Sequence, residues 1–268
     1  MILYDITQVT GMNLEEKHTD YLAENEQHML GITQVDSTNR YLTAEIQIRK
    51  LPSGFIVYAE NQTQGRGHAG NSWESEPYKN LLFSVYCCPT DLSANRSFVI
   101  SEMASLSVKY TLDKYIPDVT VKWPNDIYYR DKKISGTLIE NIIVGEKIEH
   151  SVIGTGININ QTHFKSDTPN PVSLSQITGM MFDKMVILDE FREIFKEQSG
   201  RLKTGCYDDI HNDYLAAIYH KDGYHNYSDE NGFFTAKIHH IEHTGHLILE
   251  RTDGRLSRYG FKEVTFFL

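Results

Sequence analysis

TVKWPNDIYYRDKKISGTLIENIIVGEKIEHSVIGTGIN, residues 120–158, is the stretch whose reading decides the fold. It holds three strand-like runs, Thr120 to Tyr129, Lys133 to Ile143 and Lys147 to Asn158, punctuated by Asp131-Lys132 and Gly145-Glu146. Connections that short join antiparallel neighbours, because a parallel pair needs a crossover of a dozen or more residues. The spacing predicts a meander.

Outward from it, the other elements follow from periodicity and turn chemistry. Met29 to Val35 reads as a strand, and Asp36, Ser37 or Thr38 can cap a helix running to about Arg49. Phe55 to Ala59 and Leu81 to Cys87 read as further strands. Ser93 is placed to cap a helix whose apolar positions Phe98, Val99, Met103, Leu106 and Tyr110 fit the helical period. Two more helices are expected over about Met185 to Leu202 and Asp208 to Tyr219. Beyond Lys221-Asp222-Gly223 the texture changes to short strands separated by Asn231-Gly232, Thr244-Gly245 and Asp253-Gly254. That pattern predicts a small β-barrel or sandwich. The reading is an α+β fold: residues 1–29 without an assigned role, a main domain over 30–220, and a small β domain over 221–268.

Composition narrows the function classes. The chain has 268 residues, 26 Lys+Arg against 36 Asp+Glu, and a formal net charge of −10. An acidic chain lacks the clustered positive charge that nucleic-acid phosphates need. No run of 18 apolar residues exists, so no membrane-crossing helix is expected. The N-terminus has no basic region followed by an apolar core, so it does not read as a secretory signal. Cys87, Cys88 and Cys206 form no CxxC, which argues against a disulfide framework and for a reducing, cytoplasmic setting.

Three segments could carry chemistry. Gly65-Arg66-Gly67-His68-Ala69-Gly70 fits G-x-G-x-x-G, but it runs into Asn71-Ser72-Trp73-Glu74-Ser75-Glu76-Pro77, a poor helix start, so a dinucleotide fold is disfavoured. Its backbone amides can still approach phosphate, with Arg66 supplying a fork of donors and Trp73 placed to close over a planar ligand or pack on the core. Lys122-Trp123-Pro124-Asn125-Asp126 reads as a kinked strand presenting Lys122, Asn125 and Asp126 to a pocket, with Trp123 as an apolar wall. Lys132-Lys133 follows at a turn. Gly154-Thr155-Gly156-Ile157-Asn158 places glycines inside an apolar strand, which marks either a bulge or close approach of a ligand. The tract His239-His240-Ile241-Glu242-His243-Thr244-Gly245-His246 is read as imidazoles on an exposed face, not as a metal site.

In this order and spacing the segments resemble the biotin–protein ligases of the bacterial type, without a DNA-binding domain. The matching pieces are Val35-Asp36-Ser37-Thr38-Asn39, Gln62-Thr63-Gln64-Gly65-Arg66-Gly67, the Lys122 to Asp126 segment, Lys133-Ile134-Ser135-Gly136 and the Gly154 to Asn158 segment. The resemblance covers about residues 30 to 268. It implies a class II synthetase-like catalytic sheet and a C-terminal SH3-like β-barrel. It also implies a two-step reaction. Biotin and ATP give biotinyl-5′-AMP and pyrophosphate, with Mg²⁺ accompanying the nucleotide. A lysine of a biotin carboxyl carrier domain then takes the biotinyl group. By the same resemblance, Lys133 contacts the biotin carboxylate and the α-phosphate, and Arg66 holds the phosphate. Ser37, Thr38 and Gln62 bond the neutral ureido ring. Trp123, Gly65, Gly136 and Gly154 line the slot. Asn125, Asn158, Trp73 and the contact His68 lie toward the nucleotide, and Asp126 orients or deprotonates the acceptor lysine.

Two departures from the family pattern stand out. His68-Ala69 replaces a second basic residue of the loop, which weakens its expected hold on the adenylate. Only about 30 residues precede the match, too few for a winged helix-turn-helix, so no operator binding is expected. A lipoate or octanoate ligase or transferase of the same superfamily is the alternative enzyme, and a homodimer is among the assemblies the resemblance allows.

Overall fold

The computed structural model describes residues 2–4, 21–25, 28–67, 71–165 and 170–267. The meander is there, with one more turn than expected. The run from Thr120 to Tyr129 is two strands, β6 (Val119–Lys122) and β7 (Asp126–Tyr129), because Pro124 cannot donate to a ladder and the chain reverses at Trp123–Asn125. The Trp123–Pro124 peptide is cis. The next reversal falls at Arg130–Asp131, so Lys132 opens strand β8 (Lys132–Val144) and is not part of the turn. Strand β9 (Lys147–Ile157) completes the run.

Around it stand β3 (Met29–Val35), β4 (Ile56–Gln62) and β5 (Leu81–Cys87). Residues 1–29 contribute β1 (Ile2–Tyr4) and β2 (Tyr21–Asn25), the latter an edge strand paired to β3. The nine strands run β2-β3-β4-β5-β9-β8-β7-β6, with β1 on β8. Among the described strands of this sheet, β3–β4 and β1–β8 pair in parallel and the other pairs are antiparallel. The class is α+β, as the spacing predicted.

Helix α1 (Thr38–Ile48) packs its Leu42 on one sheet face with Leu30, Ile32, Val57 and Val152. The opposite face carries α2 (Phe98–Leu112), α4 (Lys184–Lys203) and α5 (Tyr207–Ala216) over the larger core. Strand alternation feeds both cores: Ile56 and Tyr58 enter one, Phe55, Val57 and Ala59 the other. Ser93 does not cap α2. A short 3-10 turn at Ala94–Arg96 intervenes, and Ser97 takes the N-cap position. Sequence periodicity also passes over α3 (Leu174–Thr178), a single turn closed by a Ser173–Gln176 capping box and Gly179.

The C-terminal strands are β10 (His225–Asp229), β11 (Gly232–Ile241), β12 (Leu247–Arg251), β13 (Leu256–Tyr259) and β14 (Thr265–Phe266). They form one antiparallel sheet, β13-β12-β11-β10-β14, whose pairing is an open path. Its core is continuous with the larger one through Tyr227, Ala236, Leu247 and Leu249. A register shift between Ile238 and His240 interrupts the pairing within the histidine tract. His239 and His246 lie 3.3 and 3.8 Å from Glu250 and Glu242. Among the described residues no group of three or more His, Cys, Asp or Glu could hold a metal ion, and no helix is long and apolar enough to cross a membrane. All three cysteines are free.

Candidate active site

The floor of the site follows from strand parity. The β8–β9 register sets Gly136 opposite Gly156 and Leu138 opposite Gly154, and β5 sets Ser84 opposite Gly154. Those positions, with Glu140 two residues beyond Leu138, share the face that carries α1. The glycines leave room that other side chains fill. A Cβ on Gly154 would lie 2.0 Å from Asn39 Oδ1, and one on Gly156 would lie 2.3 Å from Cε2 of the Trp73 indole. A Cβ on Gly136 would meet Trp73 at 3.0 Å and Lys133 Nζ at 3.2 Å. The strand glycines thus make room for the side chains of Asn39, Trp73 and Lys133, an approach by the protein itself that their sequence reading had not named.

Above this floor lies a cavity of about 690 Å³. Its sides come from four places. The start of α1 brings Ser37, Thr38 and Asn39, and the end of β4 brings Gln62. Thr38 donates to Gln62 Oε1 from its amide at 2.8 Å and from its hydroxyl at 3.1 Å. Ser84 Oγ lies 2.8 Å from Thr38 Oγ1 and 2.6 Å from Asn39 Oδ1. This end is neutral, with hydroxyl and amide groups only.

The glycine loop brings Arg66 and Trp73. Trp73 N–H donates to Gly65 O at 3.0 Å and Gly67 N–H to Asn71 O at 2.6 Å, so the loop's two ends are tied together. Arg66 donates from one guanidinium nitrogen to both oxygens of Glu140, at 3.0 and 3.2 Å. Arg66 Nε and Trp73 Nε1 are buried with no hydrogen-bond partner. His68 lies outside the described residues.

The β6–β7 turn and β8 bring the third group. Lys133 Nζ is 2.7 Å from Asp126 Oδ2 and 5.9 Å from the centre of the Trp73 ring. Asn125 is anchored by donating to Thr137 O at 3.1 Å. Lys122 donates to Tyr128 OH at 3.1 Å. Burial lowers the Lys122 pKa, Asp126 pulls it up, and Lys133 pushes it down again. The fourth group comes from the C-terminal sheet, whose β13–β14 connection contributes Phe261 and Lys262. Among the described lining residues Arg66, Lys122, Lys133 and Lys262 face a single carboxylate, Asp126. A chain of net charge −10 has concentrated positive charge in one cavity, which suits a ligand with more than one anionic group.

The structure brings together Ser37, Thr38, Gln62, Arg66, Trp73, Asn125, Asp126, Lys133, Gly136 and Gly154 around this cavity. Three expected residues do not line it. Trp123 stands behind the wall: it is buried, donates to Gly245 O at 2.9 Å and packs on Phe261, while Pro124 takes the lining place. Gly65 lies at the root of the loop, where a Cβ would come within 2.8 Å of Trp73 O. Asn158 is buried beyond the floor, its amide N–H on Ile134 O and its side-chain Oδ1 without a partner. The sequence reading passed over Asn39 and Glu140, which underlie the cavity, and Lys262, which reaches it from the other sheet. Glu140 carried a signal, a lone acid in the apolar run Thr137-Leu138-Ile139-Glu140-Asn141-Ile142. Lys262 carried none.

Residues 30–158 match the biotin/lipoate A/B protein ligase family. The chain is 36% identical over 176 residues to the bifunctional ligase/repressor BirA of Escherichia coli, covering 61% of this chain and 53% of that one. It is 31% identical over 150 residues to the biotin–[acetyl-CoA-carboxylase] ligase of Mycobacterium tuberculosis, covering 53% of each. The chain spans about half the length of the curated relatives it matches. Its fold is that of a solved biotin protein ligase from Aquifex aeolicus, with a TM-score of 0.70 over 89% of this chain and 97% of that one, at 23% identity.

Proposed function

From the match of residues 30–158 to the biotin/lipoate A/B protein ligase family, we propose that the protein is a biotin–protein ligase. The observation that carries the proposal is the division of one cavity into a neutral end, Ser37, Thr38 and Gln62, and a cationic end, Arg66, Lys122 and Lys133, over a floor of glycines. Biotin has that polarity: an uncharged ureido ring at one end, a carboxylate at the other. ATP adds a triphosphate beside the carboxylate.

In the first step the carboxylate oxygen attacks the α-phosphorus, the bond to the bridging oxygen breaks, and pyrophosphate leaves. Two anions must approach each other, so positive charge fixed beside both lowers the barrier. Lys133 is assigned to the carboxylate and α-phosphate, Arg66 to the phosphate end, and Asn125 and Trp73 to the nucleotide side. Mg²⁺ prefers oxygen ligands and keeps several waters. Asp126 is already paired with Lys133 at 2.7 Å, so phosphate oxygens and water would supply the ligands of that ion. In the second step the ε-amine of a carrier lysine attacks the acyl carbon, AMP leaves, and Asp126 takes or orients the amine's proton.

Residues 30–220 are assigned to biotin and nucleotide, and residues 221–268, as an SH3-like unit, to closing the cavity through Phe261 and Lys262. The partner is a biotin carboxyl carrier domain. A cytoplasmic setting accords with the three free thiols, and nucleic acid has no place in the reading.

Purified protein with ATP, Mg²⁺ and either biotin or lipoate tests the proposal through pyrophosphate release and label transfer to a carrier domain. Biotin-dependent release followed by transfer is expected. Release with lipoate alone would keep the chemistry and overturn the substrate. No release with either would overturn the enzyme reading.

A further inference from the structure

We propose that Glu140 is the positioning residue of this site: with Asn39 it ties Arg66 to the neutral end of the cavity, so that the two ends act as one unit. The inference rests on the ligase reading above.

Glu140 sits near the middle of β8, on the floor face, and is only 6% exposed. A carboxylate that buried is stable only if its oxygens are well bonded. Arg66 donates to both oxygens, and Asn39 donates to Oε2 at 2.7 Å. The same Asn39 amide nitrogen reaches Leu138 O at 3.3 Å, while its oxygen faces Ser84 Oγ at 2.6 Å. From Ser84 the connection passes to the Thr38 hydroxyl, and the Thr38 backbone amide carries it on to Gln62 Oε1. One unbroken row thus runs from Gln62 through Thr38, Ser84, Asn39 and Glu140 to Arg66, crossing β4, α1, β5, β8 and the glycine loop. It is built into the fold, because Gly154 lacks the side chain that would expel Asn39.

The row has a chemical consequence. Glu140 neutralises much of the Arg66 charge, so Arg66 serves less as a free cation than as a fixed fork of donors whose Nε still lacks a partner. Lys133 is left as the cation that follows the reacting charge. Without Glu140 the guanidinium would keep its charge and lose its direction. The site would then lose retention of the acyl-adenylate, while the capture of ATP, which needs charge more than direction, would change little.

A double-mutant cycle on the full chain tests this, reading both the half-life of bound biotinyl-5′-AMP and the separate KM values for biotin and ATP. Arg66→Ala and Glu140→Ala are each expected to shorten the half-life by tenfold or more, and the double variant no further, because each removes the same interaction. In Glu140→Ala, which keeps the guanidinium charge, KM for biotin should rise with KM for ATP within about twofold of wild type, whereas Arg66→Ala, which removes the charge, should raise both. Should Glu140→Ala not fold, the cycle is run with Glu140→Gln, which keeps an acceptor and is expected to give the same pattern at a smaller amplitude. Multiplying effects of the two substitutions would overturn the inference, as would a Glu140 variant with an unchanged half-life. A loss of thermal stability with unchanged half-life and KM values would show a purely structural carboxylate and would also overturn it. A wild-type chain that releases no pyrophosphate with biotin refutes the ligase reading instead, so the two failures are told apart.

Discussion

Replacing Gly154 by alanine probes the floor of the site more directly than removing any side chain. The new Cβ would stand 2.0 Å from Asn39 Oδ1, 2.7 Å from its Cγ and 3.0 Å from its Nδ2. No contact that short survives, so the Asn39 amide must leave. It takes with it the bonds to Leu138 O, Glu140 Oε2 and Ser84 Oγ. A neutral buried hydrogen bond contributes about 1 kcal/mol net and one to a charged group about 1.5–3 kcal/mol. The three together amount to roughly 3–5 kcal/mol by that scale. Alanine recovers about 0.4–1 kcal/mol by restricting the unfolded chain. The expected cost is therefore about 3 kcal/mol, or a fall in Tm of roughly 6–12 °C for a chain of this size. Gly200→Ala is the control. It lies inside α4 with nothing within 4 Å of the added carbon, and it should raise stability by about 0.5–1 kcal/mol. Thermal unfolding followed by circular dichroism reads both. A Gly154→Ala chain that melts within a degree of wild type would refute the placement of Asn39, and with it the row that reaches Arg66.

Lys133→Ala should abolish adenylate formation, a loss of at least a hundredfold in biotin-dependent pyrophosphate release, and release near the wild-type rate would remove Lys133 from the chemistry. Asp126→Asn keeps the shape and removes the charge that Lys133 faces at 2.7 Å. It should slow transfer to a carrier lysine more than adenylate formation, as timed in single-turnover assays, and transfer at full rate would clear Asp126 of that role. His220 is held down to about 4, first by burial, then by the His225 imidazole and by Lys122, with Asp131 opposing. Its folded pKa lies below the unfolded value near 6.5, so its contribution is intact above about pH 6.5 and is lost as pH falls toward 4. His220→Asn, which tolerates the backbone φ of 60° there, should flatten that part of the stability–pH curve, and an unchanged curve would count against the assignment.

How much of this was legible depended on the distance in sequence over which each contact is decided. The rest of the meander was readable because its turns are two residues long and its strands alternate locally, while the three-residue reversal at Trp123–Asn125 read as a kink within one strand. Ser37, Thr38 and Gln62 entered the site reading only through the family resemblance, since local pattern offered Ser37 and Thr38 merely as helix caps, whereas the donors of Arg66 could be read from its glycine-rich loop. Trp123 was misplaced for the opposite reason. Its partner is the carbonyl of Gly245, 122 positions away, and no local pattern says that a tryptophan beside a functional turn belongs to the core between two sheets. The edge strand β2 was hidden because five residues of mixed character, Tyr21 to Asn25, become a strand through the ladder that β3 offers. Glu140 stood in plain view as a charge in an apolar strand, but its meaning needed the register that sets it on the same face as Gly136 and Gly154.

The pairing of charges explains how a cationic cavity persists in this fold. Four cations around one space repel one another, and the repulsion grows as water is excluded and the local dielectric falls. The chain offsets this with carboxylates supplied from its own strands, Asp126 from β7 for Lys133 and Glu140 from β8 for Arg66. The two are not equivalent. Asp126 lines the cavity and can yield its place beside Lys133 to an incoming oxyanion, whereas Glu140 lies under the floor, bonded from two sides. On the proposed ligase reading, Lys133 would be a cation held in reserve, released when a carboxylate or phosphate displaces its partner, and Arg66 one fixed in place. A site that joins two anions needs both kinds. One charge must follow the electrons through the reaction, and one set of donors must hold still so that the reacting atoms stay in line.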